Sequence, residues 1–242
     1  MKRREVMERR CSRRSYLNQP LSQDDITYIQ ERLVSINKDY GLQVRLEVHK
    51  PEAFASLKKS YGLFHNVQNY ILLIGNERDV YSKEKLGYAL ELLVLDLCER
   101  GLGTCWVGGS YDHDLAAADL GAQETLYGVI TVGYVKAKRS VKENMISKVT
   151  KRKGKSIEEL CGGETKIPQW MKEGLKAVQM APSALAAQPV MFHYEGDRVY
   201  ARVAKPDSLQ MIDLGIAMAH FALGAEQGTW TWGNPAVFQY KK

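Results

Sequence analysis

"YSKEKLGYALELLVLDLCERGLG" (Tyr81–Gly103) is the stretch from which the fold can be read. From Leu86 to Leu97 apolar side chains nearly encircle a helix, with Lys85 and Glu91 set among them. A helix apolar on all sides belongs inside a core rather than on a surface. At about 1.5 Å per residue, Leu86 to Arg100 would cross roughly 22 Å, the width of a domain core. Ser82 is a candidate cap, and Gly101 and Gly103 stop the helix. The pattern returns in "LGIAMAHFAL" (Leu214–Leu223), where Leu214, Gly215, Ala217 and Leu223 match Leu86, Gly87, Ala89 and Leu95 of "LGYALELLVL". The two helices then run into "RGLGTCWVG" and "QGTWTW".

The flanking segments repeat in the same order. "LSQDDITYIQERLVSIN" carries Ile26, Ile29, Leu33 and Ile36 at helical spacing, with Ser22 as N-cap and Asp24 and Asp25 in the first turn. "LQVRLEV" (Leu42–Val48) alternates as a half-solvated strand, "PEAFASLKKSYGLF" reads as helix, and "NYILLIG" as a buried strand. After the long helix come an extended "TCWVGG", a short helix "DHDLAAADLG" and a strand "LYGVITVGYV" (Leu126–Val135). The basic stretch to Lys155 reads as a loop, and "SIEELCGG" as a short helix. The order then restarts: helix "IPQWMKEGLKAVQM", hairpin "VMFHYEGDRVYARVA" turning at Gly196-Asp197, long helix, short extended piece. This order predicts an internal duplication: a first half over residues 1–163 and a partial second half over 164–242, in one compact unit.

Composition narrows the function classes. Of 242 residues, 45% are hydrophobic, enough for a sizeable core, and no apolar run approaches the roughly 20 residues of a membrane span. The basic N-terminus "MKRREVMERRCSRRS" has no apolar signal region. The four cysteines, Cys11, Cys98, Cys105 and Cys161, form no C-x-x-C pair and have no histidine cluster beside them. They read as reduced thiols in a cytoplasm rather than as a metal or disulfide framework. The net charge of +6 is concentrated in residues 2–14 and 136–155. Without a helix-turn-helix, zinc or aromatic RNA-binding signature, this charge reads as solvated or as directed to a small anion; no nucleic acid and no membrane is expected as partner.

Three stretches carry candidate chemistry. In "RRS" (Arg13–Ser15) guanidinium forks and a hydroxyl suit phosphate oxygens, although an exposed basic turn would look the same. In "QMAPSALAAQP" (Gln179–Pro189) Pro182 ends a helix, and Ser183 and Ala184 leave backbone N–H groups at a turn lined by small side chains. Gln188 offers donor and acceptor to the edge of a heteroaromatic ring; a plain helix-to-strand turn is the alternative. In "GTCWVGG" Gly108 and Gly109 permit close backbone approach or positive φ, beside Trp106 as a core or rim aromatic and Val107. Arg152, Lys153 and Lys155 form a second basic cluster, phosphate-facing or linker charge.

Taken together, "RRS", "RGLGTCWVGG", "ITVGY", the 152–155 cluster and the later A-P-S turn resemble the FMN-dependent nitroreductase family. The resemblance covers most of 12–160 and resumes over 168–232. It implies an α+β fold, a mostly antiparallel sheet flanked by helices in two pseudo-symmetric halves. It implies FMN as cofactor, NADH or NADPH as reductant and a nitroaromatic or quinone-type acceptor, with no catalytic side chain and no metal. It further implies that Arg13, Arg14 and Ser15, assisted by Arg152, Lys153 or Lys155, hold the phosphate and ribityl chain. Trp106, Val107, Gly108 and Gly109 would approach the flavin near N5, and Pro182, Ser183, Ala184 and Gln188 would line its ring. In the family one subunit supplies the arginines and glycines and its partner the A-P-S turn. This chain has one of each, so the resemblance implies a single FMN site completed within one chain, as monomer or weak homo-oligomer. Two positions depart from the family pattern. Its A-P-S asparagine is Ala186 here, and the cation two residues after the "RRS" serine is Leu17. Both departures leave room for a non-catalytic flavin carrier or sensor.

Overall fold

The computed structural model describes residues 3–116, 120–150, 154–162, 166–206 and 208–241. In chain order its elements are helix α1 (Arg3–Arg9), α2 (Gln23–Tyr40), strand β1 (Arg45–Glu47), α3 (Glu52–Ala55), α4 (Leu57–Ser60), β2 (Asn69–Asn76), α5 (Ser82–Glu99), β3 (Gly103–Val107), α6 (His113–Ala116), β4 (Glu124–Gly133), α7 (Val141–Thr150), α8 (Ile157–Leu160), α9 (Gln169–Val178), β5 (Met191–Glu195), β6 (Arg198–Arg202), α10 (Ser208–Ala225), β7 (Thr229–Thr231) and β8 (Ala236–Gln239). The fold is α+β, with every strand pair antiparallel. Among the described residues no helix is long and apolar enough to cross a membrane.

The chain divides into two compact units: 10–82 with 96–149, and 1–9 with 83–95 and 150–242. Residues 150–163, read from the sequence as part of the first half, group with the C-terminal residues. The units also exchange short pieces, because α1 and most of α5 group with the C-terminal residues.

The unit built on residues 10–149 carries a sheet of order β1-β2-β4-β3. From Asn69 to Gly75 every residue of β2 is buried, as its unbroken apolar run requires. Helix α2 buries Ile29, Leu33 and Ile36, and Ser22 caps it by accepting the Asp25 N–H. Three details differ from the sequence reading. Ser82 lies in the first turn of α5 rather than capping it, its hydroxyl accepting the Asn76 N–H instead. The helix read over 51–64 is broken at Ser56, whose backbone is extended. The basic stretch read as a loop holds α7, whose Val141 and Met145 are exposed, so no buried apolar periodicity announces it.

The other unit carries the second sheet, of order β5-β6-β8-β7. The two sheets thus wind identically, each a meander pair whose fourth strand sits inside the third. The hairpin turns at Gly196, in the left-handed region at φ 66°. Strand β8, too short at four residues to show a pattern, buries only Ala236 and Phe238. Helix α1, absent from the sequence reading, buries Val6 and Met7.

In this unit α5 and α10 cross at the two glycines of the repeated motif. A Cβ on Gly87 would land on the Ile212 carbonyl, and one on Gly215 on the Glu84 carbonyl. Contact this close between two backbones needs glycine at both positions. Buried polar groups are paired around the crossing. His220 bridges the Ala177 carbonyl and Glu91 Oε1, each at 3.0 Å, with both side chains fully buried. Glu84 accepts the Gly233 N–H at 2.7 Å.

Candidate functional site

The "RRS" turn is held as an extended segment beside β3. Ser12 bridges Thr104 in parallel, Ser15 bridges His65, and the Arg13 N–H donates to the Thr104 carbonyl at 2.8 Å. Tyr16 anchors the far end: its hydroxyl donates to the Arg13 carbonyl and lies 2.6 Å from Thr131 Oγ1. Burial pushes its phenol well above the ordinary value.

Arg13 points inward. Only 7% exposed, it donates from Nε to Glu143 Oε1 at 3.1 Å and from Nη2 to the Lys136 carbonyl at 2.9 Å. Glu143 gathers further donors: the N–H groups of Arg14 (2.8 Å) and Ser15 (3.2 Å) reach Oε1, and that of Ser140 (2.7 Å) reaches Oε2. The Glu143 N–H in turn donates to Ser140 Oγ, the reciprocal bonding of a helix capping box. Burial opposes the charge on Glu143, but the N–H groups of Arg14 and Ser140 and the Arg13 guanidinium outweigh it and hold the carboxyl at about 2.

Sequence reasoning missed Glu143, although it is signalled by Ser140-Val-Lys-Glu143, the S-x-x-E pattern of a capping box. Nine basic residues from 136 to 155 drew the reading toward a loop instead.

Beside this pair lies a cavity of about 290 Å³, lined by Arg13, Ser15–Asn18, His65, Asn66, Lys136, Lys138, Ser140 and Glu143. Ser15 Oγ stands 3.1 Å from Ser140 Oγ on its wall. Its size and donor set fit a phosphate ester with part of the group that carries it. Arg14 is half-buried, and Leu17 lines the cavity where the family pattern has a cation. Trp106 and Val107 lie in β3, paired with Ile130 and Val129. Gly108 and Gly109 follow it, both exposed; neither takes a positive φ, and a Cβ on Gly109 would meet only open space. The glycines therefore leave the end of β3 uncovered rather than permitting a special turn.

In the other unit the A-P-S turn closes on itself. Ser183 is extended, and its hydroxyl accepts the Gln188 N–H at 2.9 Å. The Ala184 N–H donates to the buried Asp213 carboxylate at 2.9 Å. Gln188 is joined to Lys155: its Oε1 accepts the Lys155 N–H (2.8 Å) and its Nε2 donates to the Gln179 carbonyl (3.2 Å). Beneath Pro182, Ser183 and Gln188 the free space is only about 10 Å³, room for about one water, so a flat ring could meet this turn only from outside. Leu185, Ala186 and Gln188 all have left-handed φ, near 51°, 52° and 45°. The position where the family pattern has asparagine is thus a left-handed site, which asparagine adopts at lower cost than the alanine found here. Arg152 and Lys153 lie outside the described residues. Among the described residues no group of histidine, cysteine and carboxylate side chains could hold a metal.

A family model described as "Putative TM nitroreductase" matches residues 3–225. The chain belongs to that family. A solved structure from Thermotoga maritima, described as a putative nitroreductase, is similar over the whole chain: 20% identity, 100% of this chain and 95% of that one, TM-score 0.66. A nitroreductase from Bacteroides fragilis, solved with bound FMN, is 15% identical over 69% of this chain and 100% of its own, TM-score 0.50. At such identities these likenesses establish the nitroreductase fold. No curated protein matches the chain.

Proposed function

We propose that the protein is an FMN-dependent NAD(P)H oxidoreductase reducing a small electron-poor acceptor such as a nitroaromatic or a quinone. The observation that carries this reading is the cavity at the "RRS" turn, a phosphate-sized, cation-lined pocket at the place where the family motif predicts one. FMN, when bound, would pass electrons from NADH or NADPH to the acceptor, the two occupying the site in turn in a ping-pong sequence.

The residues of the chain then bind and orient. The Ser15 hydroxyl would meet the phosphate and ribityl chain from the cavity wall, with Arg14 half-buried beside it, and Arg13 fixes the shape of the turn through Glu143. Gly108 and Gly109, following Trp106 and Val107 at the end of β3, leave an uncovered edge for a flat ring. Pro182, Ser183 and Ala184 offer the outer side of their turn, which Gln188 and Lys155 hold in place. In this reading the chemistry belongs to the cofactor, and the chain supplies position and electrostatics. The identical strand orders of the two sheets and the reciprocal Gly87–Gly215 crossing support an internal duplication. One flavin per chain follows, since each motif occurs once.

A second reading, a flavin carrier or sensor without turnover, is favoured by Leu17, which leaves no cation at the position where the family pattern compensates charge on reduced flavin. Anaerobic addition of NADH and of NADPH to the FMN-loaded protein separates the two. Bleaching of the flavin absorbance, restored by a quinone, supports the oxidoreductase; a bound flavin that neither nucleotide bleaches supports the carrier.

A further inference from the structure

We propose that the cavity between α1, α9 and α10 binds an aromatic organic acid carrying a single negative charge. None of the residues assigned to the flavin lines this cavity.

Each of the three helices turns one face to the space. On α1, Arg3 and Arg4 stand four and three residues before Met7, so all three share a side of the helix. Glu173, Lys176 and Ala177 of α9, with Met180 in the turn after it, repeat that spacing. Helix α10 contributes Leu223 and Gly224, followed by Glu226. The space measures about 390 Å³, within the range of small-molecule sites. Gly224 seals its back: a Cβ there would land on the Glu173 carbonyl, so α9 and α10 meet backbone to backbone behind it.

The floor is apolar. Met7 and Ala177 are buried, and Met180 and Leu223 are half-buried. Two methionines suit a flat ring, because the thioether adapts its shape and makes favourable contacts with aromatic edges. The mouth is charged. Arg3, Arg4 and Lys176 stand against Glu173 and Glu226, which leaves one positive charge.

The hydrogen bonds show which cation can be recruited. Glu173 Oε1 accepts from Lys176 Nζ at 2.8 Å and from Gln169 Nε2 at 2.7 Å. The Lys176 bond, more than the others, holds this carboxyl below the usual range. Arg4 reaches Glu173 and Glu8 only at 3.4 Å and 3.3 Å, with its side chain 58% exposed. Exposed pairs of this kind contribute little. Arg4 can therefore turn its fork onto a carboxylate or sulfonate at the mouth, while Glu173 keeps its two shorter bonds.

The test is calorimetric titration of the purified protein with anilinonaphthalene sulfonate, an aromatic monoanion. It is run with and without excess FMN, and with naphthoate or naphthylmethylammonium as competitor. The expected result is one probe per chain, an affinity unchanged by FMN, and competition by naphthoate but not by the ammonium. Arg3→Gln/Arg4→Gln, confined to exposed side chains, should weaken binding on the order of 10-fold. Leu223→Trp fills the floor and should abolish binding; Met180→Trp does the same from the α9 side should the first variant not fold. Absence of binding, displacement of the probe by FMN, or equal competition by the ammonium would overturn the proposal. So would an affinity that survives the arginine variant or a folded floor variant.

Discussion

Replacing Glu143 by alanine leaves Arg13 buried without its partner and strands the N–H groups of Arg14, Ser15 and Ser140, all of which end on this carboxylate. Two independent arguments give the cost. Removing one partner of a buried ion pair typically destabilises by about 3–5 kcal/mol. The depression of the Glu143 carboxyl from 4.5 to about 2 corresponds to roughly 3 kcal/mol. For a chain of this length such a loss lowers the unfolding midpoint on the order of 10 °C. The sign of the pH dependence follows from the direction. A carboxyl depressed in the folded state stabilises fully above its ordinary value of 4.5, and this contribution fades as pH falls toward 2. Thermal and urea unfolding of wild type and Glu143→Ala should therefore differ most near pH 7 and converge in acid. A variant within about 1 kcal/mol of wild type at pH 7, or a gap that widens in acid, would refute the buried-pair reasoning.

Three further outcomes are expected. Gly87→Ala, and equally Gly215→Ala, forces α5 and α10 apart and should cost about 1–3 kcal/mol or more, read by urea unfolding. Ala186→Gly relieves a left-handed alanine and should raise stability by up to about 1 kcal/mol in the same assay; a loss would mean that the turn is not left-handed in solution. His220→Leu removes a buried hydrogen-bond partner of Glu91 and should destabilise by about 1–3 kcal/mol, whereas His220→Leu/Glu91→Leu should recover part of that loss, measured as a double-mutant cycle.

What the sequence disclosed follows physical lines. The long helices were legible because an all-round apolar pattern has few other solutions, and Gly87 and Gly215, which stand in the matching stretches, are the glycines that the crossing requires. Strand β2 was legible as an unbroken apolar run. Helix α7 was not, because it turns Val141 and Met145 outward and, among its described side chains, the buried polar one is Glu143, a glutamate in a run of basic residues. The site was half legible. "RRS" lies at a cavity of suitable size, but the inward turn of Arg13 depends on a partner 130 residues away, which no local pattern indicates. Gln188 likewise looked available for a ligand, and its bonds to Lys155 and Gln179 emerge only once the chain is folded.

The most direct test of the flavoprotein account is the stoichiometry of FMN binding, titrated into apo-protein by fluorescence quenching with mass in solution measured in parallel. The account predicts saturation at one FMN per chain, whatever the oligomeric state. Saturation at two per chain would contradict the single occurrence of each motif, and absence of binding would contradict the flavin reading itself.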